Sequence, residues 1–347
     1  MKLHEKYMLR CIELAKNGLG TTYPNPLVGS VLVVDSKIIG EGWHQKAGGP
    51  HAEVNAIASV RDEQLLRKAT IYVNLEPCSH VGRTPPCANL IIDKGIRKVV
   101  IGTTDPHHKV AGKGIQRLRA AGCEVTVGVL ENQCLDLNKR FFTFHQKQRP
   151  FIILKWAQTA DGLIAPEERN EQAPVWITNS YSKQRVHKLR SEEQAILVGT
   201  NTALMDNPQL TNRLWQGGSP LRVVLDRSLK IPSSAQLLDG NTPTLLFTEQ
   251  TPPEESEADY EVFNSTRRTP NQICDALYRR GVQSLIVEGG SKTLQMFIDS
   301  GLWDEAQVYQ GSVTFEKGVA APLLEELPEQ VTDIAGDTLT VYKNRTS

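Results

Sequence analysis

Strand-like and helix-like segments alternate along the first half of the chain. Short apolar runs typical of buried strands are followed by longer stretches whose apolar residues recur at helical spacing. Repeated units of this kind predict an α/β fold in which helices cover an open sheet. The expected helices span 3–17, 53–60, 87–94 and 114–121, and the expected strands span 30–34, 70–74, 98–102 and 124–128.

The second half contains further apolar runs of the buried-strand type. One of them, 151–157, is interrupted by Lys155. The acidic, proline-bearing stretch 249–261 is predicted to be a surface loop. The other expected strands are 195–199, 221–226, 244–248 and 284–288, and the expected helices are 272–280 and 292–300.

The charge balance differs between the two halves. The 347 residues carry 39 basic and 39 acidic side chains, and this zero total argues against a polycation that coats nucleic acid. Residues 1–150 hold 21 basic and 13 acidic side chains, whereas 151–347 hold 18 and 26. The polar stretch 146–150 ends in proline, so we predict two domains, at 1–146 and 150–347.

Composition and cysteine usage predict a cytoplasmic protein. No apolar run reaches the roughly 18 residues of a membrane-spanning helix. The first residues mix charged and apolar side chains at helical spacing, unlike a secretory signal. Six cysteines in a chain of this length do not make a disulfide framework. We therefore expect a reducing compartment, no membrane contact and thiols that are free to bind metal.

Three candidate metal ligands follow one another in the first half: His51, Cys78 and Cys87. One imidazole and two thiolates suit tetrahedral Zn²⁺, and three protein ligands leave a fourth position for water, as in catalytic zinc sites. Glu53 follows the histidine by two residues and is expected to sit beside that water and move protons. A His-x-Glu followed by Pro-Cys is the signature of zinc deaminases.

Other interpretations of these residues stay open. Eight residues separate the two cysteines, and His80 within this loop could be a fourth ligand, which would make the zinc structural. The net positive first half suits a deaminase that acts on a nucleic-acid base. A zinc-stabilised binding module without catalysis would need four ligands and no Glu53.

Longer motifs around these residues resemble the bifunctional deaminase/reductase family of riboflavin biosynthesis. The resemblance implies a cytidine-deaminase-like three-layer domain in which His51, Cys78 and Cys87 bind zinc and Glu53 is the proton shuttle. It also places Asn25, His44, His80 and Arg83 around the pyrimidine and phosphate of the substrate. The matching motifs are TYPNPLVG at 22–29, GWH at 42–44, HAE at 51–53, EPCSH at 76–80, GRTPPC at 82–87, Asp105-Pro106 and VAGKG at 110–114.

The second half is less explicit when it is considered without the family. Gly289 and Gly290 follow an apolar strand and precede a helix, a place where backbone N–H groups can meet phosphate, although a tight turn also uses two glycines. A lysine within a buried strand needs a partner or a function, so Lys155 is a candidate catalytic residue. A surface lysine is the alternative.

The family resemblance extends through this half and implies a dihydrofolate-reductase-like α/β domain that binds NADPH. Thr159-Ala160 and Pro174 depart from the residues usual in the family. The implied substrate contacts are Arg190, Leu210, Arg213 and Glu288. The implied NADPH contacts are Ala157, Trp176, Thr202, Asp206, Gly290, Ser291, Lys292, Thr293, Leu294, Gln295 and Met296.

The resemblance predicts two successive reactions on one small phosphorylated pyrimidine. The first domain removes an amine as ammonia, and the second uses NADPH to reduce the ribosyl group to a ribityl chain. We expect Lys155 to assist this reduction. The expected cofactors are Zn²⁺ and NADPH, and the expected assembly is a homo-oligomer without nucleic-acid or membrane partners.

Overall fold

Two units, Met1–Gln148 and Arg149–Ser347, make up the chain. A computed structural model describes residues 3–79, 85–106, 112–168, 172–263, 266–267 and 269–345.

A five-stranded sheet forms the centre of the first unit. Strand β1 pairs antiparallel with β2 and β3, and β3, β4 and β5 run parallel, in the order β2-β1-β3-β4-β5. The carboxyl ends of the three parallel strands therefore lie at one edge. The strands are β1 (Gly29–Val34), β2 (Lys37–Trp43), β3 (Thr70–Leu75), β4 (Lys98–Thr103) and β5 (Glu124–Val127).

Helices cover both faces of this sheet. Because side chains alternate along a strand, Leu32 and Val34 of β1 pack in one buried cluster, whereas Val31 and Val33 pack in another. Three layers result, as expected for the first domain. The helices are α1 (Leu3–Lys16), α2 (Ala52–Ala58), α3 (Cys87–Asp93), α4 (Lys113–Ala120), α5 (Glu131–Leu137) and α6 (Lys139–Lys147), with a 3₁₀ turn at Glu63–Lys68.

The predicted elements of this unit are present, but three others were missed. Strand β2 lacks an apolar run because Gly40 and Gly42 occupy positions where a Cβ would lie 2.6 Å from the backbone of Ala56 in α2. A strand whose glycines let a helix approach gives a weak sequence signal. The two consecutive helices α5 and α6 were also not predicted.

The second unit is built on a nine-stranded sheet in the order β11-β10-β9-β8-β12-β6-β13-β16-β15. The seven strands from β11 to β13 are parallel, and β16 and β15 add an antiparallel end. Two further strands, β7 and β14, pair antiparallel in a separate two-stranded sheet. The strands of the unit are β6 (Phe151–Gln158), β7 (Leu163–Pro166), β8 (Ala195–Gly199), β9 (Leu221–Leu225), β10 (Thr244–Thr248), β11 (Asp259–Val262), β12 (Ser284–Gly289), β13 (Glu305–Gln310), β14 (Gly318–Ala320), β15 (Pro328–Ile334) and β16 (Asp337–Lys343).

Apolar side chains pack on both faces of this sheet. Along β6, for example, Ile152 and Leu154 join one buried cluster, and Phe151 and Ile153 join another. No helix in the described part of the chain combines the length and apolar character that crossing a membrane requires. The helices of the unit are α7 (Ser180–Glu192), α8 (Thr200–Asp206), α9 (Thr269–Arg279) and α10 (Ser291–Asp299), with a 3₁₀ turn at Gln236–Leu238.

The sequence prediction was incomplete in the second unit as well. The predicted loop 249–261 is wrong at its end, because Asp259–Val262 forms β11 and pairs in parallel with β10. The strands after residue 300 were not predicted. In β13 and β16, apolar residues alternate with polar ones, so neither strand has the continuous apolar run by which the others were recognised.

Candidate active sites

The three predicted metal ligands come together in the first unit. His51 precedes α2, Cys78 lies just beyond β3, and Cys87 is the first residue of α3. His51 Nδ1 is 3.2 Å from the Cys87 sulfur and 3.6 Å from the Cys78 sulfur. Tetrahedral zinc with ordinary bond lengths separates nitrogen and sulfur ligands by about 3.6 Å. The ligand atoms, all within 4.8 Å of one another, therefore fit zinc.

The pKa values of the two thiols in this cluster are shifted in opposite directions. A hydrogen bond from the Cys87 thiol is the largest influence that lowers the pKa of Cys78, to about 4, and His51 acts in the same direction. The Cys87 backbone N–H also donates to the Cys78 sulfur, at 3.3 Å. The same thiol–thiol hydrogen bond and burial raise the pKa of Cys87. The Cys87 thiol and the Cys87 N–H thus both contact the Cys78 sulfur, which places the two sulfurs side by side.

Glu53 lies in the first turn of α2, two residues after His51, and is 3% exposed. Burial raises the pKa of its carboxyl to about 7, and the charge of the nearby Cys78 acts in the same direction. A carboxyl with this pKa both accepts and releases a proton near neutral pH. The position and the proton affinity of Glu53 suit the predicted proton shuttle.

His44 and Asn25 form a hydrogen-bonded pair beside the cluster. The His44 ring meets the His51 ring edge-on at 5.6 Å between centroids. His44 Nδ1 lies 3.0 Å from the carbonyl oxygen of Pro50, which can only accept, so Nδ1 carries the proton. Its Nε2 then accepts from Asn25 Nδ2, at 3.0 Å. Burial lowers the pKa of His44, which keeps the ring neutral.

Two buried amides that the sequence analysis missed hold the backbone near Asn25. Asn138 accepts from the Leu27 N–H at 2.8 Å, and both Asn138 and Asn74 donate to the Leu27 carbonyl oxygen. An asparagine inside the apolar strand β3 is a signal that the sequence does contain. Asn138 is 111 residues away from Leu27 and has no such signal.

Two predicted substrate contacts, His80 and Arg83, lie outside the described residues. The proposal that His80 is a fourth ligand therefore stays a prediction.

In the second unit, three predicted residues form a buried charge network. Glu288, at the end of β12, accepts from Lys155 Nζ at 2.9 Å and from an Arg190 guanidinium nitrogen at 2.8 Å. Lys155 is 9% exposed, so the alternative of a surface lysine is wrong. Burial acts to raise the pKa of the Glu288 carboxyl, but the two cations lower it to about 2. Glu288 is therefore a fixed anion.

A third cation, Arg213, lies close to this network. Arg190 also donates to the Thr211 carbonyl oxygen at 3.2 Å, and the Thr211 hydroxyl accepts from Arg213 at 3.2 Å. Burial lowers the pKa of Arg213, and the charge of Arg190 lowers it further. Arg213 is exposed, and the side chains to which it donates among the described residues, Gln209 and Thr211, are neutral. Arg213 and the neighbouring Arg190, of which only Arg190 pairs with a carboxylate here, suit an anionic ligand.

His187 is a residue of this region that the sequence analysis missed. It lies one helical turn before Arg190 on α7, and its Nδ1 accepts from the Arg213 backbone N–H at 2.9 Å. Burial is the main reason that its pKa falls to about 4, and the charges of Arg190 and Arg213 lower it further. The neutral ring therefore connects α7 to the segment that carries Arg213. The spacing of three residues between His187 and Arg190 is a sequence signal that could have pointed to His187.

Close-packed glycines form a cradle at the carboxyl ends of β8 and β12. A Cβ on Gly289 would lie 2.9 Å from the Thr202 side chain, and one on Gly199 would lie 2.5 Å from the Thr293 hydroxyl. Gly290 has a φ of +63° and directly precedes α10. Backbone approaches and helix starts at the carboxyl edge of parallel strands suit the phosphates of a dinucleotide. The cradle brings the predicted residues Thr202, Gly290 and Thr293 together.

Not all of the other predicted NADPH and substrate contacts lie at this cradle. Leu294 and Leu210 are 1% and 3% exposed, and their side chains pack in the two cores of the unit. Met296 packs against one of those cores, and Gln295 exchanges hydrogen bonds with the Leu323 backbone. The remaining positions are Ala157 near the end of β6, the 60% exposed Trp176 under Lys183, Asp206 at the end of α8, and Ser291 and Lys292 in the first turn of α10.

Comparison with known proteins finds matches to both units of the chain. The model of the cytidine and deoxycytidylate deaminase zinc-binding region matches residues 1–103, and that of the RibD C-terminal domain matches 150–333. The riboflavin biosynthesis protein RibD of Synechocystis is 43% identical over 92% of this chain and 86% of its own length. The RibD of Aquifex aeolicus is 41% identical over 89% and 86%. The chain belongs to the RibD family.

A solved structure extends the RibD similarity to the fold. A diaminohydroxyphosphoribosylaminopyrimidine deaminase/5-amino-6-(5-phosphoribosylamino)uracil reductase from Thermotoga maritima superposes with a TM-score of 0.89 and 39% identity, over 99% of both chains. The predicted fold class, a deaminase domain followed by a reductase domain, is confirmed.

RibD membership also confirms the predicted activities. The chain is a bifunctional deaminase and reductase of riboflavin biosynthesis that acts on a small pyrimidine substrate, with a zinc-binding deaminase domain and an NADPH-dependent reductase domain. Neither the nucleic-acid deaminase nor the binding module without catalysis is favoured.

Proposed function

We propose that each reaction uses the residues predicted from the sequence, with deamination in 1–146 and reduction in 150–347. The substrate of the first reaction is 2,5-diamino-6-ribosylamino-4(3H)-pyrimidinone 5′-phosphate. The observation that carries the proposal is the convergence of one imidazole nitrogen and two sulfurs, within 4.8 Å, next to the buried Glu53.

In the deaminase, His51, Cys78 and Cys87 hold zinc. When bound, the metal supplies a water that is acidic enough to react near neutral pH. With the metal bound, the Glu53 carboxylate would accept a proton from this water and deliver it to the amine nitrogen, so that a C–O bond to the pyrimidine carbon replaces the C–N bond and ammonia leaves. His44 Nε2 orients Asn25, so that the Asn25 amide oxygen is available to the pyrimidine. His80 and Arg83 complete the substrate contacts in this proposal.

In the reductase, the cradle that contains Thr202 and Gly290 binds NADPH, which supplies the hydride. Arg190 and Arg213 bind the substrate phosphate, because guanidinium groups pair with phosphate through two parallel hydrogen bonds. Lys155, oriented by Glu288, binds the oxygen of the opened sugar and supplies a proton to it as the ribityl chain forms. The other proposed NADPH contacts are Ala157, Trp176, Asp206, Ser291, Lys292, Thr293, Leu294, Gln295 and Met296, and Leu210 adds a substrate contact.

We also propose that the protein is a cytoplasmic homo-oligomer. The neutral formal charge and the six free cysteines are compatible with a reducing compartment.

Incubation with the diaminopyrimidinone ribosylamine phosphate, followed by mass analysis, tests both reactions. Without NADPH we expect exchange of one amine for oxygen, with release of ammonia. With NADPH we expect the further gain of two hydrogen atoms. Absence of the first mass change in zinc-loaded protein would contradict the deaminase assignment.

The Lys155→Ala variant tests the reductase residues separately. We expect lost NADPH oxidation with intact ammonia release, whereas Lys343→Ala, at an exposed ion pair with Glu329, should leave both activities unchanged. An unaltered reduction rate in Lys155→Ala would refute the role of Lys155.

A further inference from the structure

One buried carboxylate beside the metal ligands has no role in the chemistry described above. Glu76 follows β3 directly, precedes Cys78 by two residues and is 4% exposed. Its two oxygens accept four backbone N–H groups from a different part of the chain. Oε1 accepts from Gly114 at 2.8 Å and Ile115 at 3.3 Å, and Oε2 accepts from Gly112 at 2.9 Å and Asp105 at 3.2 Å.

Only an ionised carboxylate matches this set of donors. It presents acceptors on both oxygens, whereas a glutamine amide would turn its NH₂ group toward one pair of N–H groups. Two of the donors, Gly114 and Ile115, lie in the first turn of α4, where free N–H groups and the helix dipole favour negative charge. Glu76 therefore fastens the start of α4 to the end of β3.

The contact between α4 and the strand end is unusually close. A Cβ on Gly114 would lie 2.1 Å from the Pro77 carbonyl oxygen, a distance at which backbone must move. Arg117, one turn further along α4, donates to the Ser79 carbonyl oxygen at 3.2 Å. The backbone on either side of Cys78 is thus held by α4.

The start of α3 holds Cys78 from another direction. The Ala88 N–H donates to the Cys78 carbonyl oxygen at 3.2 Å, and the Cys87 N–H donates to its sulfur at 3.3 Å. Cys78 is therefore placed between two helix starts, one of which is fastened through Glu76.

We propose that Glu76 is a positioning residue that fixes the Cys78 sulfur at the distance from His51 and Cys87 that zinc requires. The inference rests on the proposed metal site. It accounts for the match of Asp105 and the 110–114 motif to the deaminase family, since Asp105, Gly112 and Gly114 supply the N–H groups that Glu76 binds.

Zinc affinity of the full-length Glu76→Gln variant, measured by competition with a chromophoric chelator, tests the proposal. Loss of groups that orient a metal ligand typically weakens affinity about 10–100-fold, and we expect a decrease of this size. Gly114→Ala keeps the Glu76 carboxylate but places a Cβ 2.1 Å from the Pro77 carbonyl oxygen and 3.1 Å from Glu76 Oε1, so it displaces the same contact. It should also weaken zinc binding, and a wild-type affinity in this variant contradicts the proposal if Glu76→Gln does not fold.

Leu118→Ala is the matched control, because Leu118 is fully buried in α4 and packs in the apolar core rather than on Glu76. It should lower the denaturation temperature while zinc affinity stays at the wild-type value. Wild-type affinity in folded Glu76→Gln would overturn the proposal, as would an equal loss in Leu118→Ala. Wild-type affinity in Cys78→Ser would instead refute the metal site itself.

Discussion

Glu53 and Glu288 are both buried carboxyls, and their environments give them opposite properties. In the first unit burial prevails and raises the pKa of Glu53 to about 7. In the second unit Arg190 and Lys155 overcome the same desolvation and lower the pKa of Glu288 to about 2. Burial alone therefore does not determine the charge of a carboxyl. The number of cations within hydrogen-bond distance decides whether it exchanges protons or remains an anion.

In the mechanisms proposed above, this difference separates the two chemistries. A carboxyl that titrates near neutrality can move protons during hydrolysis of an amine. A permanently ionised carboxylate cannot, but it can hold a lysine and an arginine in place in a buried site. The comparison predicts that removing the charge of Glu53 affects a rate, whereas removing that of Glu288 affects folding stability as well.

The largest effect is expected for Glu53→Gln. Loss of a general acid–base group lowers rates by about 10²–10⁴-fold, so ammonia release should fall by this factor while bound zinc is retained. The control Glu63→Gln removes an exposed carboxyl that pairs with Lys94 and should release ammonia normally. Full ammonia release by zinc-loaded Glu53→Gln would show that Glu53 is not the proton shuttle.

Glu288→Gln should destabilise the second unit by roughly 3–5 kcal/mol, because Lys155 and Arg190 would remain buried without their anion. Urea denaturation measures this loss, and NADPH oxidation should disappear with it. The surface variant Glu329→Gln provides the comparison, since exposed ion pairs contribute little. Equal stability of the two variants would mean that the buried network does not stabilise the unit.

Arg213→Ala should raise the KM of the reductase for its phosphorylated substrate with little change in kcat. A charge-assisted hydrogen bond contributes about 1.5–3 kcal/mol, which corresponds to roughly a 10–100-fold change in KM. Steady-state kinetics with the deaminated substrate measure this effect, and Arg279→Ala, an exposed arginine paired with Glu261, is the control. A fall in kcat at constant KM would argue against binding of the phosphate by Arg213.

The last effect concerns His187 and appears only in the pH dependence of stability. The pKa of His187 is about 4, below the usual value of 6.5. As the pH falls, His187 therefore gains its proton in the unfolded chain before it does so in the folded protein. The stability of the second unit should therefore decrease between pH 6.5 and 4, with a slope of up to about 1.4 kcal/mol per pH unit.

His187→Asn offers an amide oxygen near the place of Nδ1 and should remove this part of the pH dependence, with the Arg213 N–H still bonded. Denaturation curves over this pH range compare the two proteins. An unchanged slope in the variant would assign the pH dependence to other groups.

Much of the deaminase site was predictable because its residues are rare types in short motifs. His51 and Cys87 are 36 positions apart, and zinc accepts few ligand types, so their order along the chain was informative. Lys155 and Glu288 are 133 positions apart and belong to common residue types. Their proximity was not predictable from spacing: Lys155 stood out as a lysine within an apolar strand, whereas Glu288 was indicated only by the family resemblance.

The strands of the fold were likewise only partly predictable from the sequence. Continuous apolar runs predicted the parallel strands, because such strands are buried on both faces. Strand β2, with its packed glycines, and the alternating strands β13 and β16 lacked that pattern. Their positions depend on neighbours that lie far away in the sequence, which a local pattern does not report.

The sequence by itself determined the α/β class, the two-part organisation and the atoms available for a metal, because hydrophobic periodicity and ligand chemistry are local properties. Tertiary structure decided which charges meet. It buried Glu53 beside the metal ligands, set Glu288 between Lys155 and Arg190, and brought the start of α4 onto Glu76. Electrostatic energies depend on distance and burial, so the partners of these carboxyls and the pKa values of Glu53 and Glu288 emerge only in the folded chain.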